Sequence, residues 1–228
     1  GFTMVRDCAA PGGVIIDLRN AIDQGYVQGP RIRACGQGLT VTGGHMDRPL
    51  FSEHVTIEGY AAPCLGPDGF REGVRQQLRR GADFIKIYEL VDPEVFDALV
   101  DEARRQGLPI ASHVPLSLAA DVAGPRVDSM EHLRNIELAC ASDWRARLET
   151  RRAKIAAFDG DRGFELRRSL HDSQRLPAIA AHDSRRCNEV IASLRNTLQV
   201  PTLRLNAFNR SRPDRSPRRD NRVHPGTA

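Results

Sequence analysis

Lysine is what this sequence has least of among its charged residues. Of 33 basic side chains only Lys86 and Lys154 are lysine, and the rest are arginine. A chain that uses arginine for generic positive charge singles out any lysine it keeps. Aromatics are few, at 5%, which removes the stacking residues that single-stranded nucleic-acid binders interleave with their basic ones. The five cysteines (Cys8, Cys35, Cys64, Cys140 and Cys187) are odd in number and form no CxxC pair. They give neither a disulfide framework nor a zinc-finger spacing. No run approaches the roughly 18 apolar residues of a membrane span, and no signal-peptide pattern opens the chain. The expectation is a protein with no membrane partner, cytoplasmic rather than secreted. No GxGxxG follows the first strand, and no GxxxxGK precedes Ser or Thr, so the phosphate loops of nucleotide binders are missing.

What is present suits one large α/β domain. The 228 residues are 40% hydrophobic and 27% charged, with a net charge of +4, an ordinary balance for a globular chain. The excess charge gathers at Arg210, Arg212, Arg215, Arg218, Arg219 and Arg222, which face only Asp214 and Asp220. With almost no apolar residues, 210–228 is expected to be a disordered tail and 1–209 the folded domain. Such a tail attracts phosphate backbones without sequence preference, so no specific nucleic-acid partner is expected.

Along the chain, strand and helix signals alternate. Residues 1–7 and 30–35 read as strands, with a short helix over 17–25 between them. A glycine-rich loop covers 36–66 and includes Thr42-Gly43-Gly44-His45. A helix over 67–80, with apolar Val74 and Leu78 at helical spacing, leads into the strand 81–88. Asp92-Pro93 then opens a helix with the favoured cap and first-turn proline. Its apolar stripe is Val95, Phe96, Leu99, Val100 and Ala103, and Gly107 closes it. The strand 108–114, a short helix from Ser117 to about Gly124 and the strand 127–133 follow. A helical stretch over 142–198, broken at Asp159-Gly160 and Pro177, precedes a last strand from Val200 to Leu205. Alternation without hairpins implies a parallel sheet, either a (β/α)8 barrel or a doubly wound sheet.

Three of these strands end in chemistry. Lys86 lies inside the apolar run Phe84-Ile85-Lys86-Ile87-Tyr88, which reads as a strand buried on both faces. Arginine cannot lose its proton in a protein, whereas a buried lysine can act as nucleophile, base or modified ligand. A lysine near a strand end can also snorkel to solvent. His113 and His132 end the next two strands. Parallel strands converge at their C-terminal ends, so topology alone would bring the three together. Imidazole suits zinc and similar ions. Tyr88 shares the face of Lys86, whereas Glu131, one residue before His132, should point away from the interior. His171, His182 and His224 read as surface residues. Ser112, adjacent to His113, points to the opposite face of its strand, and Cys64 lacks an evident base, so neither receives a catalytic role.

Taken in order, Gly1-Phe-Thr-Met-Val-Arg-Asp7, Gly29-Pro-Arg-Ile-Arg-Ala-Cys-Gly36, Thr42-Gly-Gly-His45, Gly81-Ala-Asp-Phe-Ile-Lys-Ile87, Ala111-Ser-His113 and Asp128-Ser-Met-Glu-His132 resemble the strand motifs of the metal-dependent amidohydrolase superfamily. The branch is the imidazolonepropionase-like and Xaa-Pro dipeptidase-like one. The resemblance implies an incomplete (β/α)8 TIM-type barrel of about six βα units, covering strands two to seven and lacking the first and last. It implies a carboxylated lysine at Lys86 and metal ligation by Lys86, His113 and His132, which are also the catalytic set. One or two divalent ions, most readily zinc, would activate a hydroxide against a C–N bond. His45 and Tyr88 would contact a small amide or dipeptide substrate. The first strand's His-x-His pair and the last strand's aspartate have no counterpart here, so impaired activity is expected. The alternative is an inactive barrel fragment serving as a binding or scaffold element. Open strand edges also make a homo-oligomer an expectation.

Overall fold

A computed structural model describes residues 1–44, 46–47, 61–160 and 162–201. It is an α/β fold in which every strand pairing is parallel. Strands β1 (Met4–Asp7) and β2 (Arg31–Ala34) form a two-stranded sheet around helix α1 (Val14–Asp23). The other strands are β3 (Gly38–Val41), β4 (Ala61–Cys64), β5 (Ile85–Ile87), β6 (Ile110–Ser112), β7 (Ser129–Glu131) and β8 (Leu198–Val200). They form one sheet in the order β4-β3-β5-β6-β7-β8. Among the described residues the sheet does not close into a barrel.

The expected glycine-rich loop is therefore only partly a loop, since β3 and β4 occupy its two ends. Gly36, at φ +67°, turns the chain between β2 and β3. A Cβ there would lie 2.8 Å from Gln77 Oε1, so glycine is required twice over. A backbone bond ties the two sheets together, with Asp83 N donating to Ala34 O at 2.8 Å, and within the larger sheet Tyr88 N donates to Leu39 O at 3.0 Å. The segment 31–41 thus runs along one side of 83–88.

Helix α2 (Gly66–Arg79) and helix α3 (Pro93–Arg105) pack side by side on one face of the sheet. The Asp92 carboxylate caps α3 by accepting from Val95 N at 2.8 Å. The expected stripe Val95, Phe96, Leu99, Val100 and Ala103 is buried throughout. In α2 the inward face is Phe70, Gly73, Val74 and Gln77, and Leu78 is turned outward. These side chains close over Leu39, Ile85, Ile87 and Ile110 in one apolar core. Strand β5 is thus buried on both faces, with Ile85 and Ile87 toward the helices and Lys86 on the opposite side.

Short helices α4 (Ala120–Ala123) and α5 (Ile136–Ala139) follow β6 and β7. Then come α6 (Trp144–Ala156), α7 (Gly163–Ala180) and α8 (Ser184–Ser193). Pro177 does not break α7 as expected. It lies within the last turn, where a proline removes one bond near an already fraying end, and its carbonyl still accepts from Ala181 N at 3.0 Å. Cys140 and Cys187 are disulfide-bonded, a pairing that their 47-residue separation gives no means of reading from the sequence. The last strand among the described residues is Leu198–Val200, and most of the expected strand Val200–Leu205 lies outside them, as does the tail 210–228.

Candidate active site

Strand β5 delivers Lys86 to the face away from α2 and α3, where the residue is only 2% exposed. Among the described residues its Nζ has no hydrogen-bond partner. Tyr88 follows on the same face, its ring centroid 5.7 Å from Lys86 Nζ, as strand alternation requires. Gly38 makes room for both: a Cβ there would meet Tyr88 Cε2 at 2.7 Å and Lys86 Cγ at 3.3 Å. His113, just past β6, sets its ring edge-on to Tyr88 with centroids 5.2 Å apart. His132, just past β7, stacks edge-on to His113 at 4.6 Å. The structure thus brings Lys86, Tyr88, His113 and His132 around one cavity of about 580 Å³, which Cys8 and Phe164 also line. His45 lies outside the described residues.

Glu131 corrects the expectation. It is buried, and its carboxylate accepts from Arg6 at 2.7 Å and from the Ser129 hydroxyl at 2.8 Å. It therefore shares the face of Lys86 and does not point away. His132 reaches the same cavity because regular strand geometry stops at Glu131. His132, Leu133 and Asn135 have φ of +71°, +50° and +67°, values that side-chain-bearing residues adopt at a cost of about 1 kcal/mol or more each. The left-handed turn brings the imidazole back over the site. It is held from behind by Asn135, which donates to Val114 O at 3.1 Å and accepts from the buried Arg151 at 3.0 Å.

The electrostatics favour neutral donors. Burial pulls Lys86 down to about 8, against the opposing pull of the Glu131 carboxylate. Burial, against the opposing pull of Glu89 and with a smaller push from Lys86, drops His113 to about 3, and burial with the charge of Lys86 drops His132 to about 4. Both imidazoles are therefore neutral at neutral pH and can offer lone pairs. Burial raises the Tyr88 phenol and the Cys8 thiol, so Cys8 is not a ready thiolate nucleophile.

Several residues of the site were not expected from sequence. Glu89, 1% exposed, contacts His113 Nδ1 and Arg167 Nε of α7. His171, read as a surface residue, is in fact largely enclosed, with Nε2 3.9 Å from Glu89. Glu89 had a signal: with Lys86 it is one of two charges in the apolar run 84–91. Arg6, Arg167 and His171 had none, since only the fold brings them near.

A metal ion fits this donor set in part. Among the described residues no three His, Cys, Asp or Glu side chains form a metal-holding group. Two neutral imidazoles and a buried lysine without a partner are what remains, and the orphaned Nζ is the feature a bound or covalently attached group would satisfy.

A lysine and two histidines thus stand at the C-terminal ends of successive parallel strands, and the known proteins this chain is similar to include amidohydrolases. Ochratoxinase of Aspergillus niger is 29% identical over 164 residues, covering 58% of this chain and 33% of the relative. A Xaa-Pro dipeptidase structure with methionine bound in its active site matches 89% of this chain and 55% of its own, at 26% identity and TM-score 0.52. The A. niger ochratoxinase structure covers 89% of this chain and 52% of its own, at 21% identity and TM-score 0.52. The chain spans about a third of the length of the curated relative it matches. No family model matches it.

Proposed function

We propose that this chain is part of a metal-dependent hydrolase of amide, peptide or cyclic-amide C–N bonds, built on an incomplete (β/α)8 barrel. The observation that carries the reading is Lys86: buried and without a hydrogen-bond partner among the described residues, a burial that pulls its ammonium down to about 8. A neutral amine there can take up carbon dioxide, forming an N–C bond and releasing a proton to leave a carbamate anion. The carbamate oxygens with His113 and His132 would hold a divalent metal, zinc being well suited to imidazole. When bound, such an ion supplies a Lewis acid and an activated water.

The remaining work falls to this chain's own residues. Arg6 and Ser129 hold the Glu131 carboxylate beneath the site, where its charge opposes the loss of Lys86's proton. Tyr88, protonated and at the cavity wall, can donate to a substrate oxygen. Phe164 and the ring of Tyr88 give an apolar wall for a small amide or dipeptide.

The test is hydrolysis of a panel of dipeptides and N-acyl amino acids by wild type and Lys86→Arg, with zinc and bicarbonate. Turnover by wild type that Lys86→Arg loses supports the reading. Equal turnover in both removes Lys86 from the chemistry. A second reading, an inactive fragment that binds without turnover, is favoured by the donor set itself, which among the described residues has two imidazoles and no group of three metal-ligating side chains. Saturable ligand binding without product would select it.

A further inference from the structure

Helix α7 has one face that the proposed chemistry leaves unused. Its start is fastened to the segment after β3: Gly163 N donates to Gly43 O at 3.0 Å, and a Cβ on Gly163 would meet that oxygen at 2.5 Å. Leu170, Gln174 and Ala178 form the buried side, with Leu170 packed against Leu90 and Leu116. The side beside it, at helical spacing, carries Phe164, Arg167, Arg168, His171 and Arg175. With Arg134 from the turn after β7, these line a second cavity of about 550 Å³. It shares Arg134, Phe164 and Arg167 with the cavity of Lys86 but is not lined by Lys86, His113 or His132. The two cavities adjoin.

Four arginines around one cavity repel one another unless anions compensate them. The nearby carboxylates do so in part. Glu89 contacts Arg167, Asp172 lies 3.4 Å from Arg168, and Glu137 lies 3.2 Å from Arg175. Each of these contacts is made through Nε. Among the described residues, the terminal Nη groups of Arg167, Arg168 and Arg175 make no hydrogen bond. Those paired groups are the fork that holds a carboxylate or phosphate two oxygens at a time. His171 gives an independent sign of a missing partner. Its Nε2 is buried and has no hydrogen bond among the described residues, and at 3.9 Å from Glu89 it is beyond hydrogen-bond reach. The side chains of Arg167 and His171 are each 12% exposed, so a charge bound against them is little screened by salt.

We propose that this face of α7 is an anion subsite, taking a carboxylate or phosphate on the part of the substrate remote from the bond under attack. Only the link to a substrate rests on the hydrolase reading; the anion site rests on the arginines and His171. A group held there lies past Phe164 and Arg167 from Lys86, so it is not the group flanking the scissile bond. The favoured substrates are then dipeptides or N-acyl amino acids that carry an additional acidic group.

The test follows the His171 imidazole by NMR in the metal-free full chain, at constant pH, while succinate or inorganic phosphate is added. The same titrations are made on the double variant Arg168→Gln, Arg175→Gln, whose altered side chains are exposed. A saturable His171 shift is expected with at least one anion, at an affinity about tenfold or more weaker in the variant, as loss of charge-assisted hydrogen bonds implies. Tighter succinate identifies the bound group as a carboxylate, and tighter phosphate as a phosphoryl group. No saturable shift with either anion overturns the proposal, as does equal affinity in wild type and variant. The wild-type titration can refute the subsite whatever the stability of the variant. With zinc and bicarbonate, the preference for glutamyl over glutaminyl dipeptides, as a ratio of kcat/KM, should fall about tenfold in the variant. A preference unchanged in the variant overturns the link to the substrate. If wild type hydrolyses neither, the hydrolase reading fails, and the His171 titration still decides the subsite.

Discussion

Arg6 and Glu131 are 125 residues apart in the chain and meet at 2.7 Å. Arg6 sits on β1 of the small sheet and Glu131 on β7 of the large one, so this pair fastens the two sheets over the face that carries Lys86. Arg6 also lies 5.6 Å over the Phe84 ring. Glu131 has a side chain only 6% exposed while Arg6 is 30% exposed, so removing the arginine leaves a buried carboxylate with no charged partner and only the Ser129 hydroxyl to accept from.

Arg6→Met is therefore expected to destabilise the fold by about 2 kcal/mol, the cost of an unsatisfied buried polar group. Arg6→Met with Glu131→Gln should recover part of that loss. Urea unfolding of wild type and both variants checks it; additive losses would mean the pair is not coupled.

Lys86 should leave a signature in stability against pH. Its folded value near 8 lies below the unfolded 10.5, so between these values the unfolded chain holds more protons and stability rises with pH. Below pH 8 both states are protonated and the burial penalty is fully present. In metal-free, bicarbonate-free buffer, the wild-type stability minus that of Lys86→Met should rise by about 3 kcal/mol from pH 8 to 10.5. Using the difference cancels the opposite trend of the buried thiols and Tyr88. A flat difference would mean that Lys86 reaches solvent.

Arg151 is buried and, among the described residues, bonds to two neutral amides, Asn135 at 3.0 Å and Gln174 at 2.6 Å. Arg151→Ala removes both bonds and leaves a cavity behind the left-handed turn of His132. A loss of about 3 kcal/mol is expected, measured by thermal or urea unfolding. A loss under about 0.5 kcal/mol, typical of an exposed site, would contradict the tie.

The disulfide makes a count. Denatured without reductant, the chain should take up alkylating agent at three cysteines, Cys8, Cys35 and Cys64, and at all five after reduction. Reduction should lower stability by about 2–4 kcal/mol. Five labelled thiols without reductant would contradict the pairing.

Much of the core was legible in the sequence. The Asp92-Pro93 start and the stripe of α3 follow from capping and helical period, and Lys86 with Tyr88 follows from strand alternation. These signals are local. Glu131 was misplaced because alternation was carried past Glu131 into His132, where φ turns positive and the side chain swings back to the same side. The strands β3 and β4 were hidden inside a glycine-rich segment, because Gly38 serves the clearance of Tyr88 and Lys86 and not a turn. Arg6, Arg167 and His171 carry no local signal, since each reaches the site from a separate element.

Whether Lys86, His113 and His132 hold a metal is read by elemental analysis of zinc per chain after purification in bicarbonate with limiting zinc, for wild type beside Lys86→Arg. About one or two equivalents are expected in wild type, falling clearly in the variant, because arginine cannot form the carbamate. No stoichiometric metal in wild type, or equal metal in both, would contradict a metal site at these residues.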